Sequence, residues 1–376
     1  MSVDFEKIYS QRIKKLSEYL MNNNIPVAVF HDSEENRDPN LRYLCGHPSD
    51  AVLFVTNQGK TILCPWDENL ARQKAHCTEM IPFTRFKRDY VECVKSISTE
   101  ISPSEKTLDI PPSTSFIEYS KIRDALDSWR IECRENSVHD YVIGMRAQKD
   151  EYEIECTKRA CDITSAMTDK IEGLLRGGEL KTESDVALFI EKELRIQGCE
   201  RASFDTLAAG PARSFGIHAF PGYTSGAWGT QGLSILDYGV CYEGYASDCT
   251  ITVAKGPLSD EQELILSLVQ KAADSCIDCY KAGTPILQAV KCADDIFAEY
   301  EKSMPHGLGH GTGLAIHENP FVSTRAKPDE VFKAGNIVTL EPGLYDPEWG
   351  GCRLENDVLI TETGNIILTN SRIIRL

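Results

Sequence analysis

The sequence predicts an α+β protein with two domains, and three observations lead to this prediction. The chain has 376 residues, which is long enough for two hydrophobic cores of ordinary size. Helical and strand-like segments alternate through roughly the first 140 residues. After that point, helices are interleaved with strands that look antiparallel. We therefore expect a smaller α/β domain at residues 1–138 and a larger α+β domain at residues 139–376.

The first domain is predicted to contain a mixed sheet with helices around it. Its helical segments are residues 9–20, 67–75 and 116–129. Its strand segments are residues 26–30, 51–55 and 61–64. The turn residues Asn57-Gln58-Gly59 separate the last two strands and indicate a hairpin. The link to the second domain is expected at residues 135–145.

The second domain begins with a strongly periodic helix. Its apolar face is formed by residues spaced three and four apart, namely Cys156, Ala160, Ile163, Met167, Ile171 and Leu174. Capping boxes at Thr182/Asp185 and Ser259/Gln262 predict two more helix starts, and Pro285 predicts a fourth. The strand candidates are residues 233–239, 245–253, 337–340 and 354–361.

The composition excludes several classes of function. Lys and Arg total 40 against 57 Asp and Glu, so the net charge is −17, and we expect neither a nucleic-acid nor a membrane partner. No segment approaches the roughly 20 consecutive apolar residues that cross a bilayer, and residues 1–7 lack the apolar core of a secretory signal. The 14 cysteines are then most simply reduced core residues, which predicts a cytoplasmic protein.

Two acidic residues lie at strand ends in the second domain. Asp237 and Asp248 are eleven residues apart, which suits neighbouring strands joined by a turn at Glu243-Gly244. Both carboxylates can then face the same side of the sheet. A carboxylate at the inner end of an apolar strand is unfavourable unless it is paired or bound to a metal. Taken singly, each acid is also typical of a surface turn.

A glycine-rich segment at residues 305–320 contains three of the eight histidines, His306, His310 and His317. Its glycines disfavour a helix, so His306 and His310 are not expected to form a helical zinc site. Glu341 and Glu355 lie further on, where each ends or begins an apolar strand. The alternative interpretation of the histidines is an ordinary glycine-rich loop in which they are hydrogen-bonded. The alternative interpretation of the two glutamates is that they are charges on edge strands.

In their order along the chain, these residues resemble the pita-bread metallopeptidases, the family of prolidase, aminopeptidase P and methionine aminopeptidase. The ordered set of ligands in that family is matched here by Asp237, Asp248, His310, Glu341 and Glu355. The resemblance runs from about Arg146 to the C-terminus and includes the segment Arg146-x-x-Lys149-x-x-x-Glu153. More loosely, the first half resembles the creatinase-type N-terminal domain of the family.

The resemblance implies a site for two divalent cations. Asp248 and Glu355 would bridge both cations, Asp237 would chelate one of them, and His310 with Glu341 would hold the other. A bridging hydroxide would attack the peptide carbonyl. Ligation by several oxygens and one imidazole favours Mn²⁺, with Co²⁺, Fe²⁺ and Zn²⁺ as alternatives.

Further roles follow from the same resemblance. Glu341 would also carry a proton toward the leaving nitrogen. His317, seven residues after the metal-binding histidine, would donate to the developing oxyanion, and His218 would contact the substrate backbone. Arg353 would orient Glu355 or neutralise a peptide carboxylate. His306 is expected to contact the metal ligands without binding a metal itself.

The expected activity is hydrolysis of the Xaa-Pro bond at the N-terminus of dipeptides or short peptides, by a homodimer. Family members with an extra N-terminal domain mostly take such substrates. Phe321 stands where some prolidases carry Arg, which weakens a strict dipeptide preference. A small-molecule C–N hydrolase on the same fold and a non-catalytic binding protein remain as alternatives.

Overall fold

The computed structural model describes residues 4–101 and 104–376. The chain divides into two compact units, Met1–Arg146 and Ala147–Leu376. Most of the link expected at residues 135–145 lies in the helix Val138–Ala147, which ends at the boundary between the two units. Val138 and Val142 on this helix are buried, and the Arg146 guanidinium donates to the Asn40 side-chain oxygen over 2.8 Å. These contacts attach the helix to the first unit, so this unit extends beyond residue 138.

The first unit contains six α-helices, one short 3₁₀ helix at Phe83–Phe86 and six strands among its described residues. The helices are α1 (Phe5–Asn22), α2 (Pro39–Cys45), α3 (Glu68–Lys74), α4 (Tyr90–Ile101), α5 (Phe116–Ala125) and α6 (Val138–Ala147). The strands are β1 (Val27–Asp32), β2 (Ala51–Thr56), β3 (Thr61–Pro65), β4 (Glu79–Met80), β5 (Thr107–Asp109) and β6 (Arg130–Glu132). They form one sheet in the order β4-β3-β2-β1-β5-β6. Because β1 pairs antiparallel with β2 and parallel with β5, the predicted mixed sheet is confirmed.

The second unit carries four further helices and the remaining strands. The helices are α7 (Glu151–Arg176), α8 (Glu183–Ile196), α9 (Asp260–Cys276) and α10 (Ile286–Ala298). The strands up to α9 are β7 (Arg201–Ala202), β8 (Leu207–Ala209), β9 (Gly232–Tyr238), β10 (Val240–Tyr242), β11 (Tyr245–Ala246) and β12 (Cys249–Lys255). Those after α10 are β13 (Gly309–Gly311), β14 (Glu318–Val322), β15 (Ile337–Leu340), β16 (Gly343–Asp346), β17 (Gly350–Arg353), β18 (Glu355–Ile360), β19 (Asn365–Ile367) and β20 (Ile373–Arg375).

The helices of this unit begin where the local sequence signals predict. The Thr182 and Ser259 side chains accept hydrogen bonds from the backbone of Asp185 and Gln262, so both capping boxes are confirmed. The apolar face of α7 is confirmed as well: Ala160, Ile163, Met167 and Ile171 pack into one core with α8 and the sheet, Leu174 packs against this core, and Cys156 is buried. Within the described ranges, no helix has the length and apolar character needed to cross a membrane.

The main sheet of the second unit has the order β14-β13-β15-β18-β12-β9-β8, with β19 and β20 added beside β18 and β12. Side chains alternate between its two faces. Leu236 and Tyr238 of β9 pack into the core that contains α7 and α8. Asp237, between them, therefore points to the opposite face. The single strand predicted at residues 245–253 is instead two strands, because Ser247 and Asp248 interrupt the pairing.

Candidate active site

Five adjacent strands of the main sheet each position one predicted metal ligand. Along β13, β15, β18, β12 and β9, in this spatial order, these residues are His310, Glu341, Glu355, Asp248 and Asp237. His310 is the central residue of β13, Glu341 follows β15, and Asp248 precedes β12. Residues that are far apart in the sequence are thus brought to one region of the sheet.

The pairing register explains why the carboxylates share a face. Thr250 of β12 lies opposite Asp237 on one side and opposite Glu355 on the other. Directly opposed residues in an antiparallel pair point to the same face, and Asp248 is two residues before Thr250. The predicted turn lies at Glu243-Gly244, where both residues have positive φ angles of 48° and 86°.

The distances between these side chains are short enough for a shared cation. One ligand atom from each of Asp248, His310 and Glu355 lies within 4.8 Å of the others. The His310 Nε2 atom is 3.6 Å from Asp248 Oδ2 and 3.7 Å from Glu341 Oε1. His310 Nδ1 lies 3.1 Å from the Gly311 carbonyl oxygen, which can only accept, so Nδ1 carries the hydrogen. The Nε2 lone pair is then directed at the carboxylates, as a metal ligand requires.

The electrostatics of the cluster favour a bound cation. Burial and the neighbouring Glu355 charge raise the pKa of Asp248 well above its usual range. Burial and the charge of Glu341 do the same for the pKa of Glu355, and burial raises the pKa of Glu341 itself to about 7. Burial lowers the pKa of His310 to about 4, so its imidazole is neutral near pH 7. A set of crowded carboxylates beside a neutral imidazole is stabilised by positive charge.

Two buried oxygen atoms point to the same conclusion. Among the residues that the structure describes, Asp237 Oδ1 and Asp248 Oδ1 have no hydrogen-bond partner. A buried carboxylate oxygen without a partner is costly, whereas a metal ligand needs a free lone pair. The donor set of four carboxylates and one imidazole therefore fits hard or borderline divalent cations.

Arg353 holds the base of this cluster through an almost fully buried guanidinium. It donates to Asp237 Oδ2 over 2.6 Å and to the Tyr345 hydroxyl over 2.7 Å. It also donates over 3.0 Å to the Thr250 hydroxyl, which in turn donates to Glu355 over 2.6 Å. Arg353 thus fixes the orientation of two predicted ligands, one directly and one through Thr250.

Tyr345 joins Arg353 to His306. The Tyr345 hydroxyl lies 3.0 Å from His306 Nε2, and His306 Nδ1 lies 2.8 Å from the Gly307 carbonyl. Because that carbonyl only accepts, Nδ1 donates to it and Nε2 accepts from Tyr345. Tyr345 and Thr250 were not predicted from the sequence, since a hydroxyl near an acidic residue is common and carries no pattern of its own.

All nine predicted site residues line one cavity of about 520 Å³. They are His218, Asp237, Asp248, His306, His310, His317, Glu341, Arg353 and Glu355. His218 and His317 are exposed, whereas Asp237, Asp248, His310, Arg353 and Glu355 are buried. The His317 ring lies 4.3 Å from the His310 ring, between centroids. Phe204 and the exposed Phe220 add apolar surface to the cavity. The cavity thus has a charged base and imidazole groups that a ligand can reach.

Comparison with protein families identifies both units. The sequence profile of metallopeptidase family M24 matches residues 155–362, which include every predicted metal ligand. The creatinase/prolidase N-terminal domain profile matches residues 12–130.

Individual relatives agree with this assignment over nearly the whole chain. The Xaa-Pro dipeptidase of Pyrococcus horikoshii is 30% identical over 375 residues, with 97% of this chain and 98% of the relative covered. The crystal structure of the prolidase from the same organism superposes with a TM-score of 0.83 at 26% identity, covering 96% of this chain and 99% of that one. The X-Pro aminopeptidase of Thermotoga maritima gives a TM-score of 0.82 at 26% identity, with the same coverage. The chain therefore belongs to metallopeptidase family M24, and it is a peptidase with a creatinase-type N-terminal domain and a pita-bread catalytic domain.

Proposed function

We propose that this peptidase uses two divalent cations to hydrolyse the Xaa-Pro bond at the N-terminus of dipeptides or short peptides. The observation that carries the proposal is the cluster of five ligand-type side chains, from five adjacent strands, at the base of one cavity. The names of the relatives, an Xaa-Pro dipeptidase and an X-Pro aminopeptidase, support the substrate class.

Each ligand in this proposal has a separate role. Asp248 and Glu355 would be shared between the two cations, Asp237 would hold one, and His310 with Glu341 would hold the other. Bound divalent cations supply Lewis acidity and lower the pKa of water, so that a nucleophile exists at neutral pH. Mn²⁺ is the expected cation, because the ligands are mostly oxygens and include no thiolate.

The remaining residues act on the substrate. Glu341 is the only ligand side chain of intermediate exposure, and it transfers a proton toward the leaving nitrogen. His317 donates a hydrogen bond to the oxygen that becomes negatively charged, and His218 contacts the substrate backbone. Arg353 keeps Asp237 and Glu355 in place, while His306 accepts from Tyr345 beside Glu341. In a substrate with proline after the cleaved bond, the nitrogen is a tertiary amide without an N–H, so the site needs no acceptor for it.

Two further properties belong to the proposal. We expect a homodimer, which light scattering would test directly. We also expect a cytoplasmic enzyme, and the free state of all 14 cysteines supports a reducing environment.

The deciding experiment measures hydrolysis of Ala-Pro and Ala-Pro-Pro, with Ala-Ala as the substrate that lacks proline. Activity is assayed with added Mn²⁺ and again after removal of metal with a chelator. Cleavage of the proline substrates that is lost on chelation would support the proposal, and the ratio of the two rates would give the preferred peptide length. Glu355→Gln should abolish cleavage, whereas Glu348→Gln, at an exposed acid in the turn between β16 and β17, should leave it unchanged.

The alternatives predict different results. If two Mn²⁺ ions bind per chain and neither proline peptide is cleaved, the Xaa-Pro proposal is overturned in favour of a small-molecule C–N hydrolase. If Mn²⁺ binds and no amide or peptide substrate is turned over, the chain is a binding protein.

A further inference from the structure

A buried acid beside the four carboxylate ligands has no role in the proposed reaction. Asp357 is fully buried on β18, two residues after Glu355. Side chains two residues apart on a strand share a face, so both carboxylates project to the same side of the sheet. On the neighbouring strand β15, Thr339 lies directly opposite Asp357. The Thr339 hydroxyl accepts a hydrogen bond from the His310 backbone N–H over 3.0 Å.

The two oxygens of Asp357 are occupied by donors from three different segments. Oδ2 accepts from the Asp248 backbone N–H over 2.7 Å and from the Cys161 thiol of α7 over 3.4 Å. Oδ1 accepts from the Thr312 hydroxyl over 2.9 Å. An ionised carboxylate is a pure acceptor with two oxygens, and it matches this set of donors.

These donors place Asp357 in contact with the segments that carry the other ligands. Asp248 is itself a predicted bridging ligand, and its backbone has left regular pairing just before β12. Thr312 is two residues after His310 and directly follows the short strand β13. One carboxylate therefore connects the segments of Asp248 and His310 to the strand of Glu355. Ligand atoms of these three residues lie within 4.8 Å of one another.

We propose that Asp357 is a positioning residue that sets the spacing of Asp248, His310 and Glu355, so that the site binds its cations tightly. The inference rests on the proposed metal site and adds a residue that supports it. Metal ligands that are held by outer hydrogen bonds lose affinity when those partners are removed, by about 10- to 100-fold.

The test compares Asp357→Asn with Thr369→Val. Asparagine keeps the shape of the side chain but turns one acceptor into a donor, which faces either the Asp248 N–H and the Cys161 thiol or the Thr312 hydroxyl. The Thr369 hydroxyl accepts a hydrogen bond from the Asp357 backbone N–H over 2.9 Å. It takes no part in the hydrogen bonds by which the Asp357 side chain contacts the segments of Asp248 and His310. Thr369→Val therefore perturbs the same position of the strand without removing the proposed connection.

Metal-free protein is titrated with Mn²⁺ by calorimetry, and Tm is measured with and without Mn²⁺. We expect Asp357→Asn to bind Mn²⁺ about 10- to 100-fold more weakly and to show a smaller rise of Tm on metal addition. Thr369→Val should lower the metal-free Tm and keep the wild-type Mn²⁺ affinity. Thr312→Val removes one donor and leaves Asp357 in place, and it should also lower the Mn²⁺ affinity. This variant replaces Asp357→Asn in the test if Asp357→Asn does not fold.

Wild-type Mn²⁺ affinity in both Asp357→Asn and Thr312→Val would overturn the inference. An equal loss of affinity in Thr369→Val would also overturn it, because the effect would then be general destabilisation. If the wild-type protein itself binds no divalent cation, the proposed function fails first. If the wild type binds Mn²⁺ and cleaves its substrates, only the role of Asp357 is in question.

Discussion

The Lys149 ammonium nitrogen lies 2.8 Å from Glu318 Oε1, and the two side chains are 0% and 3% exposed. Lys149 precedes α7, whereas Glu318 directly follows His317 and opens β14. A Cβ atom on Gly313 would lie 2.2 Å from the same Glu318 oxygen, so the carboxylate fills the space that this glycine leaves open. The ion pair thus fixes the segment that presents His317 to the cavity.

Replacing Lys149 by Met should strongly destabilise the second unit. The substitution leaves the Glu318 carboxylate buried without its counter-charge, and breaking a buried pair in this way typically costs about 3–5 kcal/mol. The free energy of unfolding in urea measures the effect. Lys291→Met is the matched control, because Lys291 forms an exposed pair with Asp295 and its loss should change stability by less than about 0.5 kcal/mol. A similar small change for both variants would contradict the importance of the buried pair.

His317→Ala should reduce catalysis while metal binding is retained. The removal of one donor to a developing oxyanion typically lowers kcat by about 100- to 1,000-fold. The measurement is kcat for Ala-Pro together with the number of Mn²⁺ ions bound per chain. Loss of the metal along with the activity would instead make His317 a contributor to metal binding.

The first unit should lose stability as the pH rises through the range in which Asp109 ionises. Burial and the nearby Glu132 charge raise the pKa of Asp109 to about 7 in the folded protein. Because the unfolded carboxyl titrates near pH 4, the folded state holds the extra proton between about pH 4 and pH 7. The contribution of Asp109 to the free energy of unfolding is therefore complete below about pH 4 and is lost as the pH rises to about 7.

Asp109→Asn removes this titration. The free energy of unfolding of the variant, relative to that of the wild type, should therefore increase by about 2–3 kcal/mol between pH 5 and pH 8.5. Urea unfolding of both proteins at the two pH values measures the difference. Asp127→Asn, which removes an exposed carboxyl from the same unit, should show no comparable growth. A pH-independent difference for Asp109→Asn would show that its carboxyl does not hold a proton in the folded state.

Two glycines of the second unit should respond to alanine in opposite directions. A Cβ atom on Gly309 would lie 2.0 Å from the Thr339 backbone oxygen, so Gly309→Ala must separate β13 from β15. We expect a loss of about 3 kcal/mol. Gly173 in α7 has nothing within 4 Å of the same added atom, and Gly173→Ala should stabilise the protein by about 0.5–1 kcal/mol. Thermal unfolding of both variants tests the pair, and a stable Gly309→Ala protein would refute the close approach.

Features with a local cause were predictable from the sequence. The capping boxes at Thr182 and Ser259 depend on residues three positions apart, and the apolar face of α7 depends on helical periodicity. The turn at Glu243-Gly244 likewise follows from local backbone preferences. Such signals act within a few residues, so they survive without any knowledge of the tertiary structure.

Features that depend on strand order were not predictable in the same way. Tyr345 and Asp357 acquire their contacts only when β16 and β18 reach their neighbours. The helix α6 was also missed, because its attachment depends on a hydrogen bond from Arg146 to Asn40, 106 residues away. No local pattern distinguishes Tyr345 and Asp357 from ordinary surface polar groups.

The position of β18 in the main sheet has a consequence for synthesis on the ribosome. This strand lies between β12 and β15, although it is encoded after both of them. Until the ribosome has released residues 355–360, the two halves of the sheet have no common neighbour, and Glu355 is missing from the cluster. The strands β9 and β12, which carry Asp237 and Asp248, pair directly with each other, as do β13 and β15, which carry His310 and lead to Glu341. Among the described strands, only β18 joins these two halves, so a chain that ends before residue 355 lacks both the joining strand and Glu355.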